Sequence, residues 1–422
     1  MPAPPLPVLT IDALGARGDG VGRLPDGRAA YVPLSAPGDR VRVRPGAKRG
    51  DGVAADLVEL VEPGPARAQP PCPHFGDCGG CALQHLAEEA YGAYVHARVA
   101  EPLARAGLGR TEVGSPIRVP PGDRRRVVLA ARRTAAGVVL GFNARRSGRI
   151  VDVRSCLVAD PALVALLPAL REVLARVLPA GAGLDVSATV LDDGLDVVLV
   201  GRLWPGLAER EALAAFADAA DLARLTLRAG PRAAPEPLAW RRDGVVRFAG
   251  VPVRVPPGGF LQASRAGEAA LAALVADGVG GARRVADLFA GSGTFAVPLA
   301  AGGAAVHAVE GDAEAHAALS AVRLPRLTTA RRDLERDPLG PSELDGFDAV
   351  VFDPPRAGAA AQAAEIAKSR VPVVVGVSCS PETFARDART LADGGYALAR
   401  VVPVDQFLWS PHVELAGVFR RG

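Results

Sequence analysis

Three rhythms of apolar and polar residues divide the 422 residues of the chain. Over residues 8–62, VLTIDALGARGDGVGRL, AAYVPLS and DRVRVRPGA alternate with a period of two and are broken by Gly, Asp and Pro. That pattern predicts short strands curled into a small barrel. EPGPARAQPPCP follows as a stiff, proline-rich linker. Leu83 to Leu108 has helical spacing and ends at glycine, and RRRVVLAARR, GVVLGFNARR and GRIVDVRSC then read as strands. PALVALLPALREVLARVLP reads as a helix, DVSATVLDDGLDVVLVG as a hairpin, and PRAAPEPLAW as an irregular connection. From about Gly258 the texture changes again. RVADLFA, AAVHAVE, FDAVVFD and PVVVGVS are short apolar runs separated by helical stretches, the signature of a parallel sheet buried on both faces.

These rhythms predict an α/β chain of three parts. Residues 1–62 form a small β-barrel, residues 63–257 a central α+β domain that carries most of the cysteines, and residues 258–422 a Rossmann-like domain. Hydrophobic residues make up 49% of the chain, enough for several cores, so global disorder is excluded. No apolar run reaches membrane-spanning length, and MPAPPLPVLT lacks the charged start and apolar core of a signal peptide. A cytoplasmic monomer with no membrane partner is expected.

The net charge of +3 identifies no partner, but its distribution is uneven. Between Arg118 and Arg154 ten arginines face two acids, Asp123 and Asp152. Such a stripe is either an ordinary solvated surface or one that meets nucleic-acid phosphates. In the barrel, Arg28, Arg40, Arg42, Arg44, Lys48 and Arg49 could line one face, although acids balance them over the whole segment.

The five cysteines split four and one. Cys72, Cys78 and Cys81 lie in CPHFGDCGGC, with Cys156 far downstream, while Cys379 ends an apolar run in VVVGVSCSP. An odd count argues against a simple disulfide framework and for a metal site plus one reactive thiol. Four thiolates suit zinc or an iron–sulfur cluster. His74 inside the loop reads as incidental.

In the last third, DLFAGSGTFAVPLA is a strand, a glycine turn and a helix, with Gly291 and Gly293 allowing a ligand to approach the backbone. Glu310 ends the next strand, Asp333 follows the third, and Asp353 ends the fourth in VVFDPPRAG. Acids gathered at the carboxyl ends of parallel strands mark a ligand crevice, and Glu310 stands where a ribose would be held. With no glycine pattern prepared for a pyrophosphate, S-adenosylmethionine fits better than a dinucleotide, and its sulfonium tolerates an acidic crevice.

GGFLQAS, DLFAGSGTF, AVEGD, FDPPRAG, VSCSPETFARD and DQFLWSPHVE occur in the order found in the SAM-dependent RNA uracil-C5 methyltransferases, which the chain resembles over nearly its whole length. The resemblance extends to a TRAM-like barrel, an RNA-binding module, and to the cysteine cluster. It implies that Gln262, Phe289, Thr294, Glu310 and Asp353, with Asp333, bind S-adenosyl-L-methionine. It also implies that Cys379 is the nucleophile that adds to carbon 6 of uracil and that Glu414 is the base that removes the proton from carbon 5. Because the family includes members with a [4Fe–4S] cluster at this cysteine spacing, it favours that cluster over zinc on Cys72, Cys78, Cys81 and Cys156. RNA is the implied partner, ribosomal RNA more than transfer RNA. Two departures stand out: Ser380 where the family has asparagine, and FLWSPHVE where it has a Phe-Pro-containing segment.

Two other readings compete. An adenine amino-methyltransferase shares the Asp-Pro-Pro loop, but it needs an aromatic residue where this chain has Arg356 and leaves Cys379 without a task. A non-catalytic RNA-binding protein with the same fold would make Cys379 dispensable.

Overall fold

The computed structural model describes residues 5–230 and 233–422; the start of the barrel segment (1–4) and two residues of the connection PRAAPEPLAW (231–232) lie outside the described residues. Strands Val8–Leu14, Gly20–Arg23, Ala29–Val32, Arg40–Arg49 and Gly52–Glu62 close into a barrel. Their inward positions, Leu9, Ile11, Val32, Val41, Val43 and Val53 among them, fill it, as the two-residue period requires. Arg28, Arg40 and Arg42 are paired on the surface with Asp26, Glu62 and Glu59. Three of the six basic residues that could line one face of the barrel are therefore neutralised.

The predicted helix from Leu83 starts later, at Glu88, and runs to Arg105. Leu83–Ala87 is instead spent on tertiary bonds: Ala68 N–H donates to the His85 carbonyl, Leu83 N–H to the Trp409 carbonyl, and Ala87 N–H to the Ala66 carbonyl. The helix buries Tyr91, Tyr94, Val95, Val99 and Leu103, one stripe at helical spacing, against a core shared with Phe352, Phe384 and Leu415 of the C-terminal part.

A central sheet of seven strands runs in the order Ile150–Asp152, Gly137–Asn143, Arg126–Thr134, Gly183–Leu191, Gly194–Val200, Leu222–Arg228, Glu236–Trp240. Helices Pro161–Val177 and Leu207–Ala219 cover it with an aliphatic core of their own. Asp192 and Asp193 turn the predicted hairpin.

The C-terminal sheet has five parallel strands in the order Leu327–Arg331, Ala305–Glu310, Arg284–Leu288, Ala349–Phe352, Val373–Ser378. Glu414–Arg421 joins antiparallel, Tyr396–Asp405 follows it, and the short strands Glu112–Val113 and Ile117–Arg118 pair with Tyr396–Asp405. Strand order reverses beside Arg284–Leu288, which opens a crevice at the carboxyl ends there. Among the described residues no helix is long and apolar enough to cross a membrane.

Candidate active site

The crevice is built from turns that leave the parallel strands. After Arg284–Leu288 the backbone takes left-handed conformations at Phe289 (φ 60°), Gly291 (φ 56°) and Gly293 (φ 104°). A Cβ on Gly293 would meet Leu319 and Val297 at 2.7 Å, whereas one on Gly291 would meet nothing within 4 Å. The turn is thus packed from behind and open toward the crevice, with Thr294 half-buried at its end. Glu310 accepts hydrogen bonds from the N–H groups of Gly291 (2.7 Å) and Asp312 (2.6 Å), which locks two crevice loops together and leaves further lone pairs free. Asp333 is exposed and caps the Glu335 N–H at 3.1 Å. Asp287, which sequence reasoning passed over, is fully buried, and burial pushes its carboxyl well above the usual range.

Cys379 and Glu414 come together through strand register. Val373–Ser378 pairs with Glu414–Arg421 down to Ser378 opposite Leu415, so Cys379 and Glu414 each lie one residue beyond the last pair. Burial, and then the charges of Glu414 and Asp353, push the Cys379 thiol up, while Arg356 acts against them with its charge and a hydrogen bond. Glu414 is only 3% exposed, and burial followed by the nearby Asp353 raises its pKa to about 8. Burial raises Asp353 to about 7. Arg356 also reaches His412, with Nη2 2.8 Å from Nδ1. Loss of water around the His412 ring, and then Arg356, Arg98 and Arg124, lower its pKa to about 4, so it is neutral near pH 7.

Two amides join the acids. Gln262 donates to Asp353 (3.0 Å); Gln406 donates to the Gln262 side-chain oxygen (2.7 Å) and to Glu414 (2.8 Å). The Gln406 oxygen accepts the Ala263 N–H at 3.1 Å, and a backbone N–H can only donate. That bond fixes the orientation of both amides. Gln406 escaped the sequence reading; its signal was a polar residue directly after a buried strand, next to Asp405. The arginine stripe proves not to be one face. Arg125 is buried, pairs with Glu268 and donates to the Gln262 carbonyl, while Arg126 donates to the Leu261 carbonyl, so both hold the loop that carries Gln262.

The first departure is conservative. Ser380 caps the helix Pro381–Asp393 by accepting the Thr383 N–H, a task asparagine performs equally well. In the second, the Trp409 carbonyl accepts the N–H groups of Ala82 and Leu83 beside Cys81, and Trp409 N–H donates to Tyr91 Oη at 2.7 Å.

Cys72, Cys78, Cys81 and Cys156 are free and half-buried. Burial pushes Cys81 up to about 12, with the charges of Cys156, Cys78 and Cys72 adding to it; Cys78 is raised by burial and by Cys156 and Cys72. The four thiols therefore share one locality. Gly80 N–H points at the Cys78 sulfur and Ala159 N–H at the Cys156 sulfur, both at 3.4 Å. Among the described residues no three His, Cys, Asp or Glu side chains are grouped closely enough to hold a single metal ion.

The family model for tRNA (uracil-5-)-methyltransferase matches residues 315–421, the stretch that contains Asp353, Cys379 and Glu414. An uncharacterized RNA methyltransferase of Brucella suis is 46% identical over 98% of both chains. A 23S rRNA (uracil(1939)-C(5))-methyltransferase of Halomonas elongata is 35% identical over 96% of this chain and 88% of its own. The chain belongs to the RNA uracil-C5 methyltransferase family. The crystal structure of a Pyrococcus abyssi tRNA (uracil-54, C5)-methyltransferase, 24% identical, shares the fold of this methyltransferase with a TM-score of 0.73 over 97% of this chain and 99% of the other. Within the methyltransferase crevice Gln262, Asp353, Cys379 and Glu414 converge, Phe289, Gly291, Thr294 and Glu310 line the neighbouring turn, and Asp333 stands at the exposed edge.

Proposed function

We propose that this RNA uracil-C5 methyltransferase takes its methyl group from S-adenosyl-L-methionine and acts on a uridine of 23S rRNA through a temporary bond between Cys379 and carbon 6. The observation that supports this most is that Cys379, directly after its strand, lies close enough to Glu414, at the start of the neighbouring strand, to feel its charge. The Cys379 thiolate gives its electron pair to carbon 6, and the ring's double-bond electrons move to carbon 5, which becomes nucleophilic. S-adenosyl-L-methionine, when bound, supplies an electrophilic methyl on a sulfonium. Glu414 then takes the carbon-5 proton; the released electron pair restores the ring double bond and expels the thiolate. Arg356 stabilises the thiolate before attack and after release. The target base has to leave its stack to reach so deep a carboxylate.

The cofactor fits the neighbouring turn. Gly291 opens space, and the acids at Glu310 and Asp353 suit a positively charged sulfonium. The four cysteines fit a [4Fe–4S] cluster in donor chemistry, and two of them, Cys78 and Cys156, accept N–H···S contacts. Methyl transfer moves no net electron, so the group would serve as a cross-link: Cys156 touches the apolar cores of both the central and the C-terminal sheets. Ribosomal RNA is favoured by the Halomonas relative. Transfer RNA is the second reading, favoured by the description of the matching family.

The test is to map 5-methyluridine in ribosomal and transfer RNA of cells with and without the gene. Loss of one rRNA site is expected. Loss in tRNA alone would move the target, and a Cys379→Ala enzyme with full activity would overturn the covalent route.

A further inference from the structure

Asp19 is completely buried where the barrel meets the central domain, and three guanidiniums converge on it. Arg49 Nη1 lies 2.6 Å and Arg146 Nη2 3.0 Å from one oxygen, and Arg145 Nη2 lies 3.2 Å from the other. Among the described residues none of the three has a second carboxylate in salt-bridge reach, which leaves two positive charges in excess at the seam. One arginine would neutralise Asp19.

The excess is open to a ligand. Arg146 carries it to the surface with more than half of its side chain exposed, while Arg145 Nη1 is buried behind it without a hydrogen-bond partner. Arg146 also holds a left-handed backbone (φ 52°) in the turn after Gly137–Asn143, a conformation that glycine adopts without strain. The same turn grips the cysteine loop: Gly79 N–H donates to the Asn143 carbonyl, and Ala144 pairs with Cys78. Arg49 is steadied from below by the Tyr31 ring, 4.5 Å away. Two separate elements, the end of the strand Arg40–Arg49 and the turn after Gly137–Asn143, therefore present guanidiniums from fixed positions, with the buried carboxylate as their anchor.

We infer that Arg49, Arg145 and Arg146 form a clamp for a phosphodiester of the substrate RNA, held in place by Asp19. Planar guanidiniums bind phosphate oxygens in pairs, and a site with a fixed excess charge neutralises phosphate with little reorganisation. The inference rests on the chain acting on RNA.

The decisive variant is Arg146→Gly, which removes the guanidinium, relieves the left-handed strain and leaves Asp19 paired with Arg49 and Arg145. Binding of the full chain to an unmodified 23S rRNA transcript is measured over a range of KCl concentrations, beside thermal unfolding. A clamp predicts a slope of log K against log salt that is shallower by about 0.7–0.9, the change expected for one lost phosphate contact. It also predicts a thermal midpoint equal to or above that of the wild type. Arg146→Lys should keep the slope. An Arg146→Gly protein that binds with the wild-type slope overturns the clamp, and a lowered midpoint with unchanged binding would make the cluster a structural staple only. Methyl transfer by the wild type to the same transcript is read separately, so a wrong target RNA shows as binding without transfer.

Discussion

Gln406 donates to Glu414 at 2.8 Å with an amide whose orientation is fixed from behind by the Ala263 N–H. The bond favours the ionised carboxylate and so works against the burial that raises its pKa to about 8. Replacing Gln406 by Met should remove that donor and raise the pKa further. The rise of kcat/KM with pH should then move to a more alkaline midpoint. At pH 7 the loss is expected to be roughly tenfold, the size of one hydrogen bond to a charged group. A pH–rate profile checks it: the two enzymes should converge at high pH if Gln406 acts only through the base.

Cys379→Ala and Glu414→Gln should fail at different steps. The first removes the nucleophile and should lose methylation without forming any adduct. The second keeps the nucleophile and loses the base, with a fall of about 10²–10⁴-fold. It should accumulate a methylated RNA bound to protein through Cys379. Denaturing gels with labelled RNA distinguish the two.

Stability of the ligand-free protein should fall from about pH 6.5 to about pH 8. Glu414 and Asp353 have pKa values raised to about 8 and about 7, so in this range the unfolded chain is ionised while the folded one still holds protons. The stability from these groups is complete below the ordinary carboxylate pKa and is gone above the raised values. Below pH 6.5 the trend is opposed by His85, which burial lowers to about 4. Asp39 does not interfere: Arg67 and two backbone N–H groups outweigh its burial and lower its pKa, so its contribution changes only in acid. Glu414→Gln should flatten the decline in thermal midpoint between pH 6.5 and 8.

Protein purified without oxygen should contain iron and acid-labile sulfide in similar amounts. Cys156→Ser should reduce both and lower the thermal midpoint, because Cys156 touches two hydrophobic cores at once. Metal analysis that finds zinc instead would reassign the site.

Ser380→Ala should cost about 1 kcal/mol of stability, the usual loss for a helix N-cap, while Ser380→Asn should be neutral. Chemical denaturation of the three proteins measures this directly.

Local pattern was enough for most of the elements, though not for Glu236–Trp240, an edge strand inside the stretch read as an irregular connection. Period-two runs specified the barrel, and four apolar runs followed by turns specified where Gly291, Glu310, Asp353 and Cys379 leave their strands, because burial on both faces demands such runs. Pattern failed where a local preference lost to distant bonds. Leu83–Ala87 has helical spacing but satisfies its backbone groups with Trp409, Ala66 and Ala68. The run Arg124–Arg126 looks like one charged surface, yet Arg125 is buried against Glu268 because the Gln262 loop needs its donors.

What the sequence determined by itself was therefore the order of motifs and the family they belong to, and it named the residues proposed as reactive groups, since these depend on residue type and near-neighbour spacing. The tertiary structure alone decided that Glu414, 35 positions from Cys379 in the chain, starts the interior strand beside it and acts on its thiol. It also decided that Gln406, through Gln262, links Glu414 to Asp353 and that Asp19 collects three arginines from two distant segments. Register, burial and charge pairing arise only when segments far apart in sequence are packed against one another, and that packing is what shifts the pKa values on which the chemistry depends.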